Sequence, residues 1–162
     1  MISKKMLDAI NEQINKELFS SYLYLSMVTY FEDKELPGIA HWLRLQVIEE
    51  NEHAMKFFDY LVDRGGKVSL DAIEKPKAEW ESSLDAFKEV LAHEQMITAS
   101  INDLYELALE EKDYPSQFLL QWYVEEQVEE ESNASGILHQ LEMIEDKGTA
   151  VLMLDKELGQ RA

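Results

Sequence analysis

Cysteine is absent from the 162 residues, which excludes disulfides, thiolate zinc sites, iron–sulfur clusters and cysteine nucleophiles together. Proline and glycine are scarce, at three and six, so the chain has few places to turn and its elements must be long. No apolar run approaches the roughly 20 residues of a membrane span. The opening Met1-Ile2-Ser3-Lys4-Lys5-Met6 has neither the apolar stretch nor the small-residue cleavage site of a secretion signal. A soluble, cytoplasmic protein with no membrane partner is expected. Positive charge is the remaining shortage: 15 Lys and Arg against 33 Asp and Glu leave a net charge of −18. Such a surface repels nucleic acid and anionic lipid and attracts cations, so small metal ions are its natural partners. What the chain has in quantity is apolar side chain, 46% of the total, ample for one core in one domain spanning residues 1–162.

The few glycines and prolines fall at four breaks. These are Asp33 to Gly38; Arg64-Gly65-Gly66-Lys67, continuing through Pro76 to Ser82 or Ser83; Lys112-Asp113-Tyr114-Pro115; and Lys147-Gly148. Between them the spacing predicts helices over about 3–32, 37–64, 83–112 and 115–146, each far longer than the ordinary mean of about 11 or 12 residues. Ser3 and Ser82 or Ser83 suit N-caps, Pro37 and Pro115 a first helical turn, and Gly65 and Gly148 a C-terminal stop. Short first and third breaks make helices one and two antiparallel, and likewise three and four. The second break, of about 18 residues at roughly 3.3 Å each, can cover the roughly 40 Å of a helix, which leaves two and three parallel. Thr149 to Leu158 reads as a shorter fifth helix. The expected fold class is therefore all-α: a four-helix bundle with a long crossover between its second and third helices and a short fifth helix.

Steps of three and four residues trace the buried seam of each helix. The first reads Leu7, Ile10, Ile14, Glu17, Ser21, Tyr24, Val28, Phe31; the second Ile39, Leu43, Gln46, Glu50, His53, Phe57, Tyr60. The third reads Leu84, Phe87, Leu91, Glu94, Thr98, Ile101, Tyr105, Ala108; the fourth Leu120, Tyr123, Gln127, Glu130, Ala134, Ile137, Leu141, Ile144. Every seam is apolar at its ends and polar midway, so Glu17, Glu50, His53, Glu94, Gln127 and Glu130 should meet at one level whichever way the helices run. Four carboxylates buried together cost several kcal/mol each unless a cation joins them. No seam offers Lys or Arg at that level, so any protein cation must reach in from a flank. Two divalent metal ions balance the charge better, with neutral His53 adding a nitrogen ligand. Glu50 and His53, three apart, form the Glu-x-x-His element of carboxylate-bridged di-metal bundles. Oxygen ligands with one imidazole suit iron(II), manganese or zinc. A polar layer that only fixes helix register remains the alternative.

Tyr24 lies two turns beyond Glu17 and serves either as a satisfied core tyrosine or in redox. Glu126, Glu129 and Glu130 share a stripe that Glu49 can join, giving a third ion position or simply a solvated face. His41, His93 and His139 fall off the polar layer and are expected at the surface or an interface.

Four segments together resemble haem-free microbial ferritins along essentially the whole chain. They are Asn11-Glu12-Gln13-Ile14-Asn15-Lys16-Glu17 with Ser21-Tyr22-Leu23-Tyr24; Glu49-Glu50-Asn51-Glu52-His53-Ala54; His93-Glu94; and Gln121-Trp122-Tyr123-Val124-Glu125-Glu126-Gln127-Val128-Glu129-Glu130-Glu131. The resemblance implies a ferritin-like bundle in a hollow homo-oligomeric shell of 24 chains. It also implies ferroxidase activity, oxidation of Fe(II) by dioxygen, with Fe(III) stored as oxyhydroxide. By the same resemblance Glu17, Glu50 and His53 hold one iron, and Glu50, Glu94 and Glu130 a second, with Gln127 beside them. Glu49, Glu126, Glu129 and Glu130 make a third site, Tyr24 supplies an electron, and Trp122 lies close by. Helix four carries Gln127-x-x-Glu130 where haem-containing relatives have a second Glu-x-x-His, which fits iron in transit better than permanent iron. Glu52 stands where those relatives place a methionine ligand, so haem is not expected.

Overall fold

The computed structural model describes residues 1–145 and 147–162. Five helices follow one another: α1 (Lys4–Asp33), α2 (Pro37–Asp63), α3 (Ser83–Glu110), α4 (Tyr114–Ile144) and α5 (Gly148–Leu158). The described residues contain no strand, and no helix among them is long and apolar enough to cross a membrane.

Local chemistry sets the helix starts. The Ser3 side chain accepts from the backbone N–H of Met6, and that of Ser82 from Asp85. Pro37 and Pro115 occupy first-turn positions, where a missing N–H costs nothing. Asp113 caps α4 by accepting from Ser116, a role not evident from its spacing. The helix ends are more uniform than the sequence implies. After α1, Glu35 N–H bonds to Glu32 O and Leu36 N–H to Phe31 O. Gly65 with Gly66, and Lys112 with Asp113, repeat that pair of bonds after α2 and α3. All three ends are Schellman motifs whose first residue past the cap is left-handed, at φ 57°, 71° and 55°. Only Gly65 announces this in the sequence.

The fourth break needs correction. Gly148 does not stop α4; it opens α5, and α4 ends at Ile144, followed by Glu145 in the left-handed conformation at φ 49°. The expected end of the fourth helix at residue 146 lies outside the described residues.

Hydrogen bonds across the bundle fix its topology. Ser20 meets His93 and Gln13 meets Ser100, so α1 and α3 run antiparallel. Gln46 meets Glu130 and Tyr60 meets Ser116, so α2 and α4 do too. Gln117 meets Ala108 and Thr98 meets Glu131 between α3 and α4, and Ser21 meets Val47 between α1 and α2. α2 and α3 are therefore parallel, as the long crossover requires. That crossover is fastened along α1: Asn11 accepts from Ser69 N–H, Asn15 donates to Ala72 O, and Ser26 donates to Lys77 O. Buried Trp80 closes it, edge-on to Tyr30 at 5.3 Å.

The apolar core is divided. One cluster, which includes Met27, Phe31, Leu43, Phe87 and Leu141, fills the end of the bundle near α5. The other, with Ile10, Ile14, Phe57, Ile101 and Tyr123, fills the opposite end, where Phe57 stacks on Tyr123 at 3.9 Å. A polar layer separates them.

α5 packs on the start of α2. The Ile39 N–H donates to buried Asp155 at 2.8 Å, satisfying one of the free donors of α2's first turn. A Cβ on Gly38 would lie 1.7 Å from the Asp155 carbonyl oxygen, so only glycine permits this approach.

Candidate metal centre

The seam positions of α1, α2 and α4 deliver Glu17, Glu50, His53, Gln127 and Glu130 to the interior, each at most 5% exposed, and α3 delivers Glu94 at 2%. These side chains form three overlapping groups whose ligand atoms lie within 4.8 Å of one another. The groups are Glu17, Glu50 and His53; Glu50, Glu94 and Glu130; and His53, Glu126 and Glu130. Glu50 belongs to the first two, which is the position a bridging carboxylate needs.

Each member is held by a neighbour. Gln13, one helical turn before Glu17, donates to its Oε1 at 2.8 Å. Gln46 donates to Glu130 Oε2 at 2.8 Å across the α2–α4 interface. Gln127 Nε2 lies 3.2 Å from Glu94 Oε2 and 3.2 Å from Thr98 Oγ1, and Tyr24 donates to Glu94 Oε1 in a short bond. His53 Nδ1 stands 3.6 Å from Glu50 and Nε2 3.8 Å from Glu126, with the Trp122 ring edge-on at 5.4 Å. Two oxygens remain: Glu17 Oε2 and Glu50 Oε1 are buried without a hydrogen-bond partner. None of the described ion pairs brings a Lys or Arg to Glu17, Glu50, Glu94 or Glu130.

The electrostatics follow from that enclosure. Burial pushes the Glu17 carboxyl up to about 7, opposed in part by the Gln13 hydrogen bond. Glu130 rises to about 8 through burial and the charge of Glu94. Burial, then the charges of Glu94, Glu17 and Glu130, lift Glu50 well above the carboxylate range. Glu94 is raised by burial, against the bonds from Tyr24 and Gln127. His53 moves the other way, to about 4, through burial and then the Lys56 ammonium. A neutral imidazole beside carboxylates that ionise only at a cost is a site built for cations: a metal stabilises the charged carboxylates and finds the imidazole already free of its proton.

The chain matches known proteins along its whole length. The family model described as a ferritin-like domain matches residues 7–144. The chain belongs to the ferritin family. It is 42% identical over 161 residues to the bacterial non-heme ferritin of Bacteroides fragilis (strain 638R), covering 99% of this chain and 100% of that protein. Against the bacterial non-heme ferritin of Staphylococcus aureus (strain USA300) it is 37% identical over 161 residues, covering 99% and 97%. An open pore ferritin from the hyperthermophilic archaeon Archaeoglobus fulgidus superimposes with a TM-score of 0.99 at 49% identity, covering all of both chains.

Of the residues predicted for this ferritin's accessory position, Glu126 and Glu130 join His53, whereas Glu49 and Glu129 stand outside the three groups. Glu129 is exposed on α4. Both oxygens of Glu49 are taken by Arg161, at 2.9 and 2.8 Å. His93 corrects an expectation, being buried rather than at the surface: its Nε2 bonds Ser20 Oγ at 2.7 Å and its ring meets the Tyr24 edge at 5.9 Å. It turns inward because the buried stripe of α3 is rotated from the seam traced in its sequence: Val90, His93, Ile97 and Leu104 are buried, while Leu84, Leu91, Thr98 and Tyr105 are only half-buried. His139 is exposed, and His41, half-buried, bonds Arg161 O. Sequence reasoning missed Gln13 and Gln46 as partners of the layer, although each stands four residues before a seam glutamate.

Proposed function

We propose that this chain stores iron and oxidises it on entry, acting as a single ferritin-like domain in a homo-oligomeric shell of 24 subunits in the cytoplasm. The observation that carries this reading is the pair of buried, unpartnered oxygens on Glu17 and Glu50 beside a neutral imidazole. Glu17, Glu50 and His53 hold one Fe(II). Glu50, Glu94 and Glu130 hold the other, with Gln127 alongside. Each ion gives one electron to dioxygen, and hard carboxylate ligands favour the Fe(III) that results. Metal entry displaces protons from the raised carboxyls, and dioxygen needs protons as it is reduced. Glu126 and Glu129, with Glu49 and Glu130, make an accessory position at the rim. Tyr24, bonded to the ligand Glu94, can pass an electron inward. The absence of haem is part of the proposal, with no ligand methionine at Glu52.

Adding Fe(II) in air to metal-free protein, many ions per chain, tests the whole reading. Oxygen should be consumed and iron should elute with a particle of several hundred kilodaltons. Uptake that stops near two ions per chain on a small oligomer would favour a di-iron oxidase instead. Glu50→Ala and His53→Ala should each lose rapid oxidation, and full rates in both would remove the site assignment.

A further inference from the structure

The residues after α5 return to the bundle, and Arg161 makes more contacts there than a surface arginine needs. Its carbonyl oxygen lies 2.8 Å from His41 Nε2, and its guanidinium covers the Trp42 ring at 5.0 Å. One nitrogen donates to Gln46 Oε1 at 2.5 Å, and the other forks onto both oxygens of Glu49. Trp42, Gln46 and Glu49 follow one another at steps of four and three, so they line a single stripe of α2 that cradles the side chain. The close approach at Gly38 and the Asp155 bond to Ile39 seat α5 so that the segment after it arrives at this stripe. Gln46 in turn donates to Glu130. The chain thus supplies at the edge of the layer the cation that its seams lack.

We infer that Arg161 is a tethered cation that occupies Glu49 and competes with metal for the accessory position, setting the affinity of that position as a specificity-determining residue. This rests on the proposal above that Glu49 is an accessory ligand. A metal ion can use Glu49 only after the guanidinium swings away. The exchange is open to solvent, because 24% of the Arg161 side chain and 35% of the Glu49 side chain are exposed. One guanidinium nitrogen donates to both Glu49 oxygens in charge-assisted bonds, so the competition weakens the accessory position selectively. Glu17, Glu50 and His53 make no contact with the arginine or with Gln46 and keep their affinity.

Calorimetric titration of metal-free whole shells with Zn(II), which undergoes no redox, tests this. Arg161→Met preserves the stem over Trp42 and removes the fork. It should leave the site of Glu17, Glu50 and His53 unchanged and tighten the weaker class roughly threefold to tenfold. Arg161→Lys should fall between Met and the wild type. In a Glu49→Gln background the gain from Arg161→Met should vanish. An unchanged or weakened accessory class in Arg161→Met, with that class still sensitive to Glu49→Gln, would overturn the role of the arginine alone. If Glu49→Gln alters no metal class in either background, the assignment of Glu49 as a ligand falls, and the inference falls with it.

Discussion

At the scale of single residues, the carboxylates of the centre are held by amides behind them. Gln13 is fixed from behind, accepting from Ser100 Oγ at 2.6 Å while Lys16 donates to that same hydroxyl at 2.7 Å, so its NH2 has to face Glu17. Gln13→Leu keeps the volume and removes the donor. Zn(II) affinity at the first site should drop by roughly 10- to 100-fold, as for other groups that orient a ligand; an unchanged titration would make Gln13 mere packing. Tyr24 is a different case. Burial and then the Glu94 charge push its phenol well above the ordinary value, so it stays protonated and its hydroxyl remains a donor to Glu94. Tyr24→Phe should spare Zn(II) stoichiometry and slow Fe(II) oxidation about tenfold or less, the cost of one lost electron path and one hydrogen bond. A variant oxidising at the wild-type rate would leave Tyr24 a core tyrosine. The histidines divide by packing rather than by type: His53 and His93 are both held neutral by burial, but His53 stands 3.6 and 3.8 Å from the carboxylates of Glu50 and Glu126, whereas His93 bonds Ser20.

At the scale of helices, α5 is seated by buried Val151 and Leu154 and by its close approach to Gly38. Gly38→Ala drives a methyl group into the Asp155 backbone, where no flexible side chain can yield, and should cost about 1–3 kcal/mol or detach α5 altogether. Hydrogen exchange should then accelerate in α5 and at Ile39 while α1 to α4 keep their protection; uniform protection would mean that the junction relaxes. Legibility from sequence follows the same division between regular and irregular structure. The seams of α1, α2 and α4 were readable because a helix repeats its face, and every seam residue of α4 from Leu120 to Leu141 is buried. On α3 the strict three-four trace ran along one edge of the buried stripe, with Leu84, Leu91, Thr98 and Tyr105 only half-buried, and it left His93 outside. Pro37 and Pro115 marked two turns, but Glu35 and Lys112 carry their left-handed backbones without any side-chain signal. Gly148 gave a false one. Glu17, Glu50, His53, Gln127 and Glu130 came from periodicity, and Glu94 with them. Arg161 could not, because nothing periodic says where a segment beyond the last helix will land.

At the scale of the whole molecule, the layer ties stability to pH. Glu17 and Glu130 hold protons up to about 7 and about 8 in the folded chain but release them near 4.5 when unfolded. Over that interval the native state binds more protons, so its stability falls as pH rises. His53 and His93 act oppositely, and their effect fades within about one unit above their ordinary 6.5. From pH 6.5 to 8 the carboxyls outweigh them, and metal-free protein should lose stability on the order of 2 kcal/mol per chain. Saturating Zn(II) should abolish that slope, since metal replaces the protons. Melting temperatures at both pH values check this, and greater stability of the metal-free form at pH 8 would contradict it. The topology adds an order of events. Glu17, Glu50 and His53 all lie on the α1–α2 hairpin, which is complete before α3 has been synthesised, whereas Glu94 and Glu130 arrive with the second hairpin across the crossover. On the proposed assignment one ion's ligands are therefore local in the chain, and the other's are drawn from both hairpins. A metal present during refolding should be captured in two kinetic steps, the first with hairpin closure and the second with docking of the two halves.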